Sequence, residues 1–239
     1  MPIEFAKIRK RAADRKGGDD ILMSMLPGQV GVPADLTDDR ALSLMAKGIF
    51  RAGFVWKVIE QKWPGFEKAF LGFEPGALLF QPDEFWDDLT RNTDIVRHHA
   101  KILAMRENAA FVQEVSKEHG NFREFLVNWP NDDVTGLWNF LAKRGKRLGG
   151  MTGKYFIRNS GKDCFLPSTD VVLALRDGGL DIAEKPTSKG DLKKIEQQFN
   201  VWVGETGLSR VHLSRICAMS IGTNYDSETI RENSGTNQE

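Results

Sequence analysis

An acidic side chain follows an apolar run and a proline in the segment CFLPSTD, which ends at Asp170. A carboxylate in such a place can orient or deprotonate water, and it can stabilise positive charge that develops in a reaction. Aspartate is also one of the residues that most often cap the start of a helix. The residues alone favour the capping role for Asp170 and leave the chemical role open.

A second stretch that could bind a ligand, residues 143–150, carries four cations and three glycines. Glycine lets a backbone approach a phosphate closely, N–H groups at a helix N-terminus bind anions, and lysine and arginine add positive charge. The stretch therefore fits a clamp on a DNA backbone, although in isolation a solvated basic loop is the favoured interpretation. Its relevant members are Lys143, Arg144, Gly145, Lys146, Arg147, Gly149 and Gly150.

The elements that position these residues are helices. Apolar residues recur at helical spacing wherever a pattern can be identified, and no segment alternates convincingly with period two, so the sequence predicts an all-α fold. Asp38 or Asp39 is predicted to cap a helix, and the apolar recurrence then continues to a stop at Pro64.

The longest predicted helix runs over about residues 95–119 and ends at Gly120. Residues 134–145 and 152–160 predict two helices joined by a short glycine-bearing turn, which gives a helix, a hairpin and a helix. Ser188 is a predicted N-cap. The first sixteen or so residues form either a basic helix or a loose arm, and both remain open.

Composition excludes several function classes. The 239 residues hold 33 Lys+Arg and 33 Asp+Glu, so no overall attraction to nucleic acid or membrane follows from net charge. Cys164 and Cys217 form no CxxC pair, which favours free thiols in a reducing cytoplasm. Apolar runs fall short of the ~20 residues of a membrane span, so no membrane segment is predicted. The predicted location is cytoplasmic, associated with the nucleoid if the source is bacterial.

This sequence predicts a helix, a hairpin and a second helix, with an aspartate about twenty residues beyond the hairpin. It resembles in this arrangement the helix-hairpin-helix DNA glycosylase superfamily. The segment TGKYFIRNSGKDCFLPSTDVV is similar to the alkylation-repair branch, where Phe-Leu-Pro precedes the catalytic aspartate. Upstream, AGFVW at 52–56 and IVRHHAKI at 95–102, with Asn108 and Ala109, are similar to two segments of DNA-3-methyladenine glycosylase I. The resemblance covers roughly residues 40–220.

This resemblance implies a two-lobed, all-α fold with the active-site cleft between the lobes. One lobe is a helical barrel over residues 40–160 that ends in the helix-hairpin-helix. The other lobe combines residues 1–39 with 161–225 and carries Asp170, now expected to be catalytic. Residues 226–239 are polar and predicted to be disordered.

The resemblance also implies a pocket in which an extruded base stacks. Trp56 matches the pocket tryptophan of the family, and core packing is an equally open role for it. Phe50, Phe54 and Phe165 are candidate pocket walls, although a core position is favoured for each phenylalanine taken singly. The fifth pocket position, Gly48, replaces a glutamate with which glycosylase I recognises methylated adenine.

Predicted DNA contacts extend beyond residues 143–150 to Thr152 and Lys154 on the second hairpin helix. Arg51 lies at the turn where family members fill the gap left by a flipped base, and an ordinary exposed arginine is at least as well supported. The hairpin backbone could hold an alkali ion, as hairpins of this superfamily often do. The structural zinc of glycosylase I is not expected, because its cysteine and histidine ligands are absent.

The predicted function is a monofunctional DNA glycosylase that flips out and hydrolytically releases an alkylated purine, of the 3-methyladenine or 7-methylpurine type, from double-stranded DNA. Met151 stands where bifunctional members place a nucleophilic lysine, so lyase chemistry is not expected. The protein is predicted to act as a monomer. The alternatives are a DNA-binding homologue that recognises damaged or structured DNA without cutting, which Gly48 favours, and a helical interaction module.

Overall fold

A computed structural model describes residues 3–224, and the predicted disorder of residues 226–239 concerns residues outside that range. Between residues 3 and 224 the chain forms thirteen α-helices and one short 3-10 helix, Leu71–Phe73, with no strand. The predicted all-α class is confirmed. The helices are α1 Phe5–Lys16, α2 Asp19–Ser24, α3 Asp38–Arg51, α4 Trp56–Ala69, α5 Pro75–Leu79, α6 Asp83–Leu89, α7 His99–His119, α8 Phe122–Asn128, α9 Val134–Arg144, α10 Gly150–Asn159, α11 Thr169–Asp177, α12 Lys189–Thr206 and α13 Arg210–Met219.

The chain divides into two compact units. The first unit takes up the described parts of residues 1–31, 131–135 and 163–239, and the second unit takes up residues 32–130 and 136–162. Across the described residues, no helix is long and apolar enough to cross a bilayer.

Within the first unit, α13 is the central helix, and α1, α11 and α12 pack against it. Trp202 is fully buried, and its indole N–H donates a hydrogen bond to the carbonyl of Ile3, 2.9 Å away. The ring of Phe199 contacts both Trp202 and Phe165. These contacts fix α1 and α12 in the unit that carries Asp170.

Within the second unit, α3 packs against α7 and α10. The apolar face of α3 meets a cluster of buried aromatic rings, and offset or edge-on ring pairs contribute beyond the area that they bury. The rings of the cluster are Phe50, Phe66, Phe70, Phe73 and Trp86. This core holds the end of α3 and the start of α10 in fixed positions.

Local sequence signals locate several helix ends. Ser188 is the N-cap of α12, because its hydroxyl accepts the N–H of Asp191 at 3.0 Å, and this prediction is confirmed. Gly120 follows α7 as predicted. Residues 5–16 form a helix, which decides between the two alternatives for the basic N-terminal segment.

Three predicted helix ends are wrong. The N-cap of α3 is Thr37, so neither Asp38 nor Asp39 caps this helix. Pro64 does not end a helix, since it lies inside α4, which continues to Ala69. The longest helix, α7, begins at His99 rather than near Ile95, because His98 has an extended backbone and serves as the N-cap. Ile95 is nevertheless buried, so it contributed an apolar position to the helical pattern without being part of the helix.

Candidate functional site

Asp170 lies in the first turn of α11 but does not cap it. The N-cap is Ser168, whose hydroxyl accepts the N–H of Val171 at 3.4 Å. Asp170 is half-buried, and within residues 3–224 its carboxylate takes part in no hydrogen bond and no ion pair. The capping role that the residues alone favoured for Asp170 is therefore wrong.

The hairpin between α9 and α10 is built around glycines that permit close backbone approach. A Cβ on Gly153 would lie 2.1 Å from the carbonyl oxygen of Leu148, and a Cβ on Gly145 would lie 2.4 Å from the Leu148 side chain. Leu148 is itself buried. Glycine at both positions therefore lets the hairpin fold tightly over Leu148 and against α10.

Helix α7 fixes the backbone of the hairpin. The amide of Asn108, which is fully buried, accepts the N–H of Lys146 at 2.7 Å and donates to the carbonyl of Lys146 at 3.0 Å. The guanidinium of Arg147 donates to the carbonyl of Ala100 at 3.1 Å. The backbone of Arg147 has a φ of 61°, which is uncommon for a residue other than glycine. These bonds define one conformation of the hairpin.

The cations of the hairpin differ in their availability. Lys143 is exposed and, within the described part of the chain, has no side-chain partner, while Arg147 is also exposed. Lys146 is exposed but forms an ion pair of 3.0 Å with Glu107. Among the carboxylates of residues 3–224, none forms an ion pair with Lys143 or Arg147.

Two of the predicted DNA contacts are engaged elsewhere. Arg144 binds Glu114 and Glu118 on α7, so its charge is already neutralised. Lys154 is buried, with its ammonium 4.8 Å from the centre of the Trp138 ring, and burial lowers the pKa of this lysine. In this conformation neither side chain offers an unpaired charge at the surface, and the prediction that they meet phosphate stays a prediction.

Among residues 3–224, no side chain caps the N-terminus of α10. Gly149 is the N-cap and supplies no side-chain acceptor, and Gly149, Gly150 and Met151 are all exposed. The first N–H groups of a helix lack intrahelical acceptors and bind anions. Thr152 is half-buried, and its methyl group would lie 3.5 Å from a Cβ on Gly48. The start of α10 therefore adjoins the predicted pocket position on α3.

Exposed apolar side chains occupy the turn between α3 and α4. Phe54 is 39% exposed, Val55 70% and Trp56 51%. The turn is anchored by Lys101, a buried lysine of α7 whose ammonium donates to the carbonyls of Phe50 at 3.2 Å and Ala52 at 2.6 Å. Burial lowers the pKa of Lys101, and the charge of Arg147 lowers it further. Two rings thus remain accessible on a turn with fixed ends.

Trp56 stands between a cation and a second ring. The guanidinium carbon of Arg51 lies 5.0 Å from the centre of the Trp56 ring, and Tyr155 of α10 meets the indole edge-on at 6.0 Å. Arg51 is buried and binds the carboxylate of Glu60, which also pairs with Lys47 at 2.7 Å. The prediction of an ordinary exposed arginine is wrong, because Arg51 is buried and bound to Glu60. The gap-filling contact stays a prediction.

Two of the predicted pocket walls are core residues. Phe50 is fully buried, 4.6 Å from Phe66 between ring centres. Phe165 is also fully buried and stacks on Phe199 at 4.7 Å. Neither ring has a surface on which a base could stack, so their assignment to a pocket wall is corrected. Phe54 and Trp56 remain accessible.

The second unit therefore brings together Gly48, Phe54, Trp56 and the start of α10, while Asp170 belongs to the first unit. Sequence reasoning missed Lys101 and Gly153. Lys101 was part of the IVRHHAKI match, and a charged residue on the apolar side of a predicted helix could have drawn attention to it. Gly153 directly follows Thr152 and extends the glycine pattern of the hairpin.

One cavity in the structure lies apart from these residues. It has a volume of about 460 Å³ in the second unit and is lined by side chains that include Lys68, Phe85, Asp88 and Leu89. None of the predicted site residues lines it. Among residues 3–224, no group of three or more His, Cys, Asp or Glu side chains could hold a metal ion. The expectations about zinc and an alkali ion stay predictions.

Comparisons with known proteins bear on the fold. The methyladenine glycosylase family model matches residues 28–142. The structure of an 8-oxoguanine glycosylase/lyase from Methanocaldococcus jannaschii in complex with DNA superposes with a TM-score of 0.52 at 17% identity, over 92% of this chain and 100% of that chain. This chain has the helix-hairpin-helix DNA glycosylase fold. The resemblance inferred from the sequence is confirmed.

Two further solved structures are similar to this chain. A second structure of the M. jannaschii 8-oxoguanine DNA glycosylase gives a TM-score of 0.51 at 17% identity, over 87% of this chain and 91% of that chain. A 3-methyladenine DNA glycosylase I from Staphylococcus aureus is 22% identical over 64% of this chain and 90% of that chain, with a TM-score of 0.48. None of the curated proteins matches this chain by sequence.

Proposed function

We propose that this protein is a monofunctional DNA glycosylase that releases an alkylated purine of the 3-methyladenine or 7-methylpurine type and leaves an abasic site. One observation carries the proposal. Ser168 caps α11, and the half-buried carboxylate of Asp170 has no hydrogen-bond or ion-pair partner within residues 3–224. A carboxylate that is held in place and not consumed by a salt bridge is available for chemistry.

In the proposed reaction, cleavage of the N-glycosidic bond builds positive charge on the deoxyribose. The Asp170 carboxylate stabilises that charge and orients or deprotonates the attacking water. The released base takes the bonding electrons, and water supplies the hydroxyl group of the abasic sugar. Met151, exposed at the start of α10, offers no amine for a Schiff base, which supports hydrolysis without a lyase step.

Recognition of the extruded base is assigned to the exposed rings of the α3–α4 turn. Trp56 offers an indole face on which an alkylated purine can stack, and Phe54 is the neighbouring exposed ring. The DNA backbone is held by the N-terminal N–H groups of α10 together with Lys143 and Arg147. The DNA-bound structure of a glycosylase with the same fold supports binding to DNA.

The test is base release from duplex DNA treated with a methylating agent, using the full chain. Freed bases are separated by chromatography, and the strand is then examined for abasic sites before and after alkali. We expect a free methylpurine together with an intact strand that breaks only with alkali. Strand cleavage without alkali would contradict the monofunctional assignment. Binding of the methylated duplex without release would favour the alternative of a non-cutting DNA-binding homologue.

That alternative has one specific observation in its favour. Gly48 lies beside Thr152 and supplies no carboxylate, where the resemblance to glycosylase I leads one to expect a glutamate. Without that acid, recognition of a methylated adenine must use other groups. The same assay with duplexes carrying hypoxanthine or 8-oxoguanine separates a change of substrate from a loss of catalysis.

DNA affinity is expected to depend on Lys143 and not on Arg144. The slope of log K against log salt falls by about 0.9 for each phosphate contact removed from duplex DNA. Lys143→Gln should therefore reduce the slope by about one, as measured by fluorescence anisotropy at several salt concentrations. Arg144→Gln makes the same change in net charge, but Arg144 already binds Glu114 and Glu118, so its slope should equal that of the wild type. A slope for Lys143→Gln equal to that of the wild type would show that Lys143 meets no phosphate.

A further inference from the structure

A short turn of the backbone closes one side of the Asp170 carboxylate. The turn follows α13 and includes residues 220–224. A Cβ on Gly222 would lie 2.3 Å from Oδ1 and 2.9 Å from Cγ of Asp170, so the carboxylate touches the bare Cα of Gly222. Gly222 has a φ of +73°, in the left-handed region that favours glycine. No larger residue would fit there without displacing Asp170 or the turn.

Side chains of the basic N-terminal helix hold this turn in place. The guanidinium of Arg15 donates from Nη2 to the carbonyl of Gly222 at 2.7 Å and from Nε to the carbonyl of Met219 at 3.1 Å. In return, the side-chain amide of Asn224 donates to the carbonyl of Arg15 at 3.0 Å. Lys16 donates to the side-chain oxygen of Asn224 at 2.8 Å. The turn is thus fastened to α1 by the carbonyl of Gly222 and the side chain of Asn224, and Arg15 also binds the last carbonyl of α13.

A second arginine of α1 reinforces this arrangement. Arg11 forms an ion pair with Asp177 at the last residue of α11 and donates to the hydroxyl of Ser220 at 3.3 Å. Ser220 begins the turn, and α11 carries Asp170. Helix α1 therefore binds both the helix that bears the carboxylate and the turn that rests against it, which fixes their relative position within the first unit.

We propose that Arg15 is a positioning residue for Asp170 and acts through Gly222. The carboxylate has no hydrogen bond of its own within residues 3–224, so its orientation depends on packing, and it packs against the backbone of Gly222. When the Arg15 bonds are lost, the turn can move away and the carboxylate gains rotational freedom. This inference rests on the catalytic role proposed for Asp170. It gives the basic N-terminal helix a role in the reaction that does not require contact with DNA.

Variants of the full chain can separate positioning from a merely structural role. Gly222→Ala is expected to slow single-turnover base release from methylated duplex DNA about 100-fold, because a displacement of about 1 Å can have that effect. Arg15→Gln should slow it about tenfold, with partial recovery in Arg15→Lys, and neither change should alter DNA affinity. Lys10→Gln is the matched control, since Lys10 is an exposed cation of α1 that pairs with Asp14. Should Arg15→Gln unfold more easily yet release base at the wild-type rate, Arg15 merely caps α13 and the inference is wrong.

A second measurement keeps this inference separate from the proposed function. The side-chain carboxyl carbon-13 resonance of Asp170, assigned by its absence in Asp170→Asn, should shift in Arg15→Gln and stay in place in Lys10→Gln. If the wild type releases no base but this resonance shifts, the contact with the turn stands and the proposed function fails. If the wild type is active and the resonance does not move in Arg15→Gln, the positioning inference is overturned.

Discussion

Asp170→Asn should abolish most base release while leaving DNA affinity close to that of the wild type. Asparagine has nearly the same shape, so it can rest against Gly222 as the aspartate does, and Ser168 still caps α11. It carries no negative charge, however, and cannot deprotonate water. Loss of one preorganised electrostatic group costs about 10²–10³ in rate. Single-turnover release of methylpurine, together with anisotropy titration of the same duplex, measures both quantities.

The control for this variant is Asp181→Asn. Asp181 lies just beyond α11, is fully exposed and pairs with Lys194, so the same chemical change there removes one negative charge from the same unit without touching α11. Its release rate should match that of the wild type. A folded Asp170→Asn protein that retains its rate to within about threefold would remove Asp170 from the mechanism.

Most of the helical framework could be predicted because helices follow from short-range patterns. The hairpin between α9 and α10, the cap at Ser188 and the end of α7 before Gly120 each depend on a few neighbouring residues. Helix ends were predicted wrongly where the neighbouring residues were compatible with more than one local structure. Pro64 is accommodated inside α4, and Ile95 is buried in a segment that is not yet helical.

The availability of individual side chains could not be predicted, because it depends on partners distant in the sequence. Arg144 looks like a phosphate contact until α7 presents Glu114 and Glu118 to it. Arg51 lies nine residues before Glu60, across a turn whose geometry no local rule specifies. Lys154 extends over Trp138 from a different helix.

The exposure of the aromatic residues and the surroundings of Asp170 also depend on residues that are not local in the sequence. Phe54 and Trp56 are separated by one residue from each other and by only a few from Phe50, yet the first two are exposed and the last is fully buried. The end of α3 and the anchoring of the turn by Lys101 decide this difference. The contact of Asp170 with Gly222 joins residues more than fifty positions apart, and no pattern in the sequence indicates it.

Gly153→Ala should disrupt the hairpin and with it the affinity for DNA. The added methyl group would lie 2.1 Å from the carbonyl oxygen of Leu148, which is backbone and cannot rotate away. Either the hairpin or the start of α10 must shift, and forcing an atom into a packed site of this kind costs about 1–3 kcal/mol or more. The shift would also move the N–H groups of α10 and the neighbouring Lys143 away from their phosphates. We expect the free energy of unfolding in urea to fall by that amount and DNA affinity to fall by at least tenfold.

Gly149→Ala is the matched control for the stability of the hairpin. Gly149 has an ordinary φ of −75°, and a Cβ there would meet nothing closer than the Cβ of Ala142 at 3.9 Å. The free energy of unfolding should therefore stay within about 0.5 kcal/mol of the wild type. Because Gly149 is exposed at the N-cap of α10, its methyl group can still hinder a phosphate. A Gly149→Ala protein that is stable but binds DNA more weakly would locate a phosphate at this helix end. Equal stability of the Gly149→Ala and Gly153→Ala proteins would show that the close approach of Gly153 to Leu148 does not constrain the hairpin.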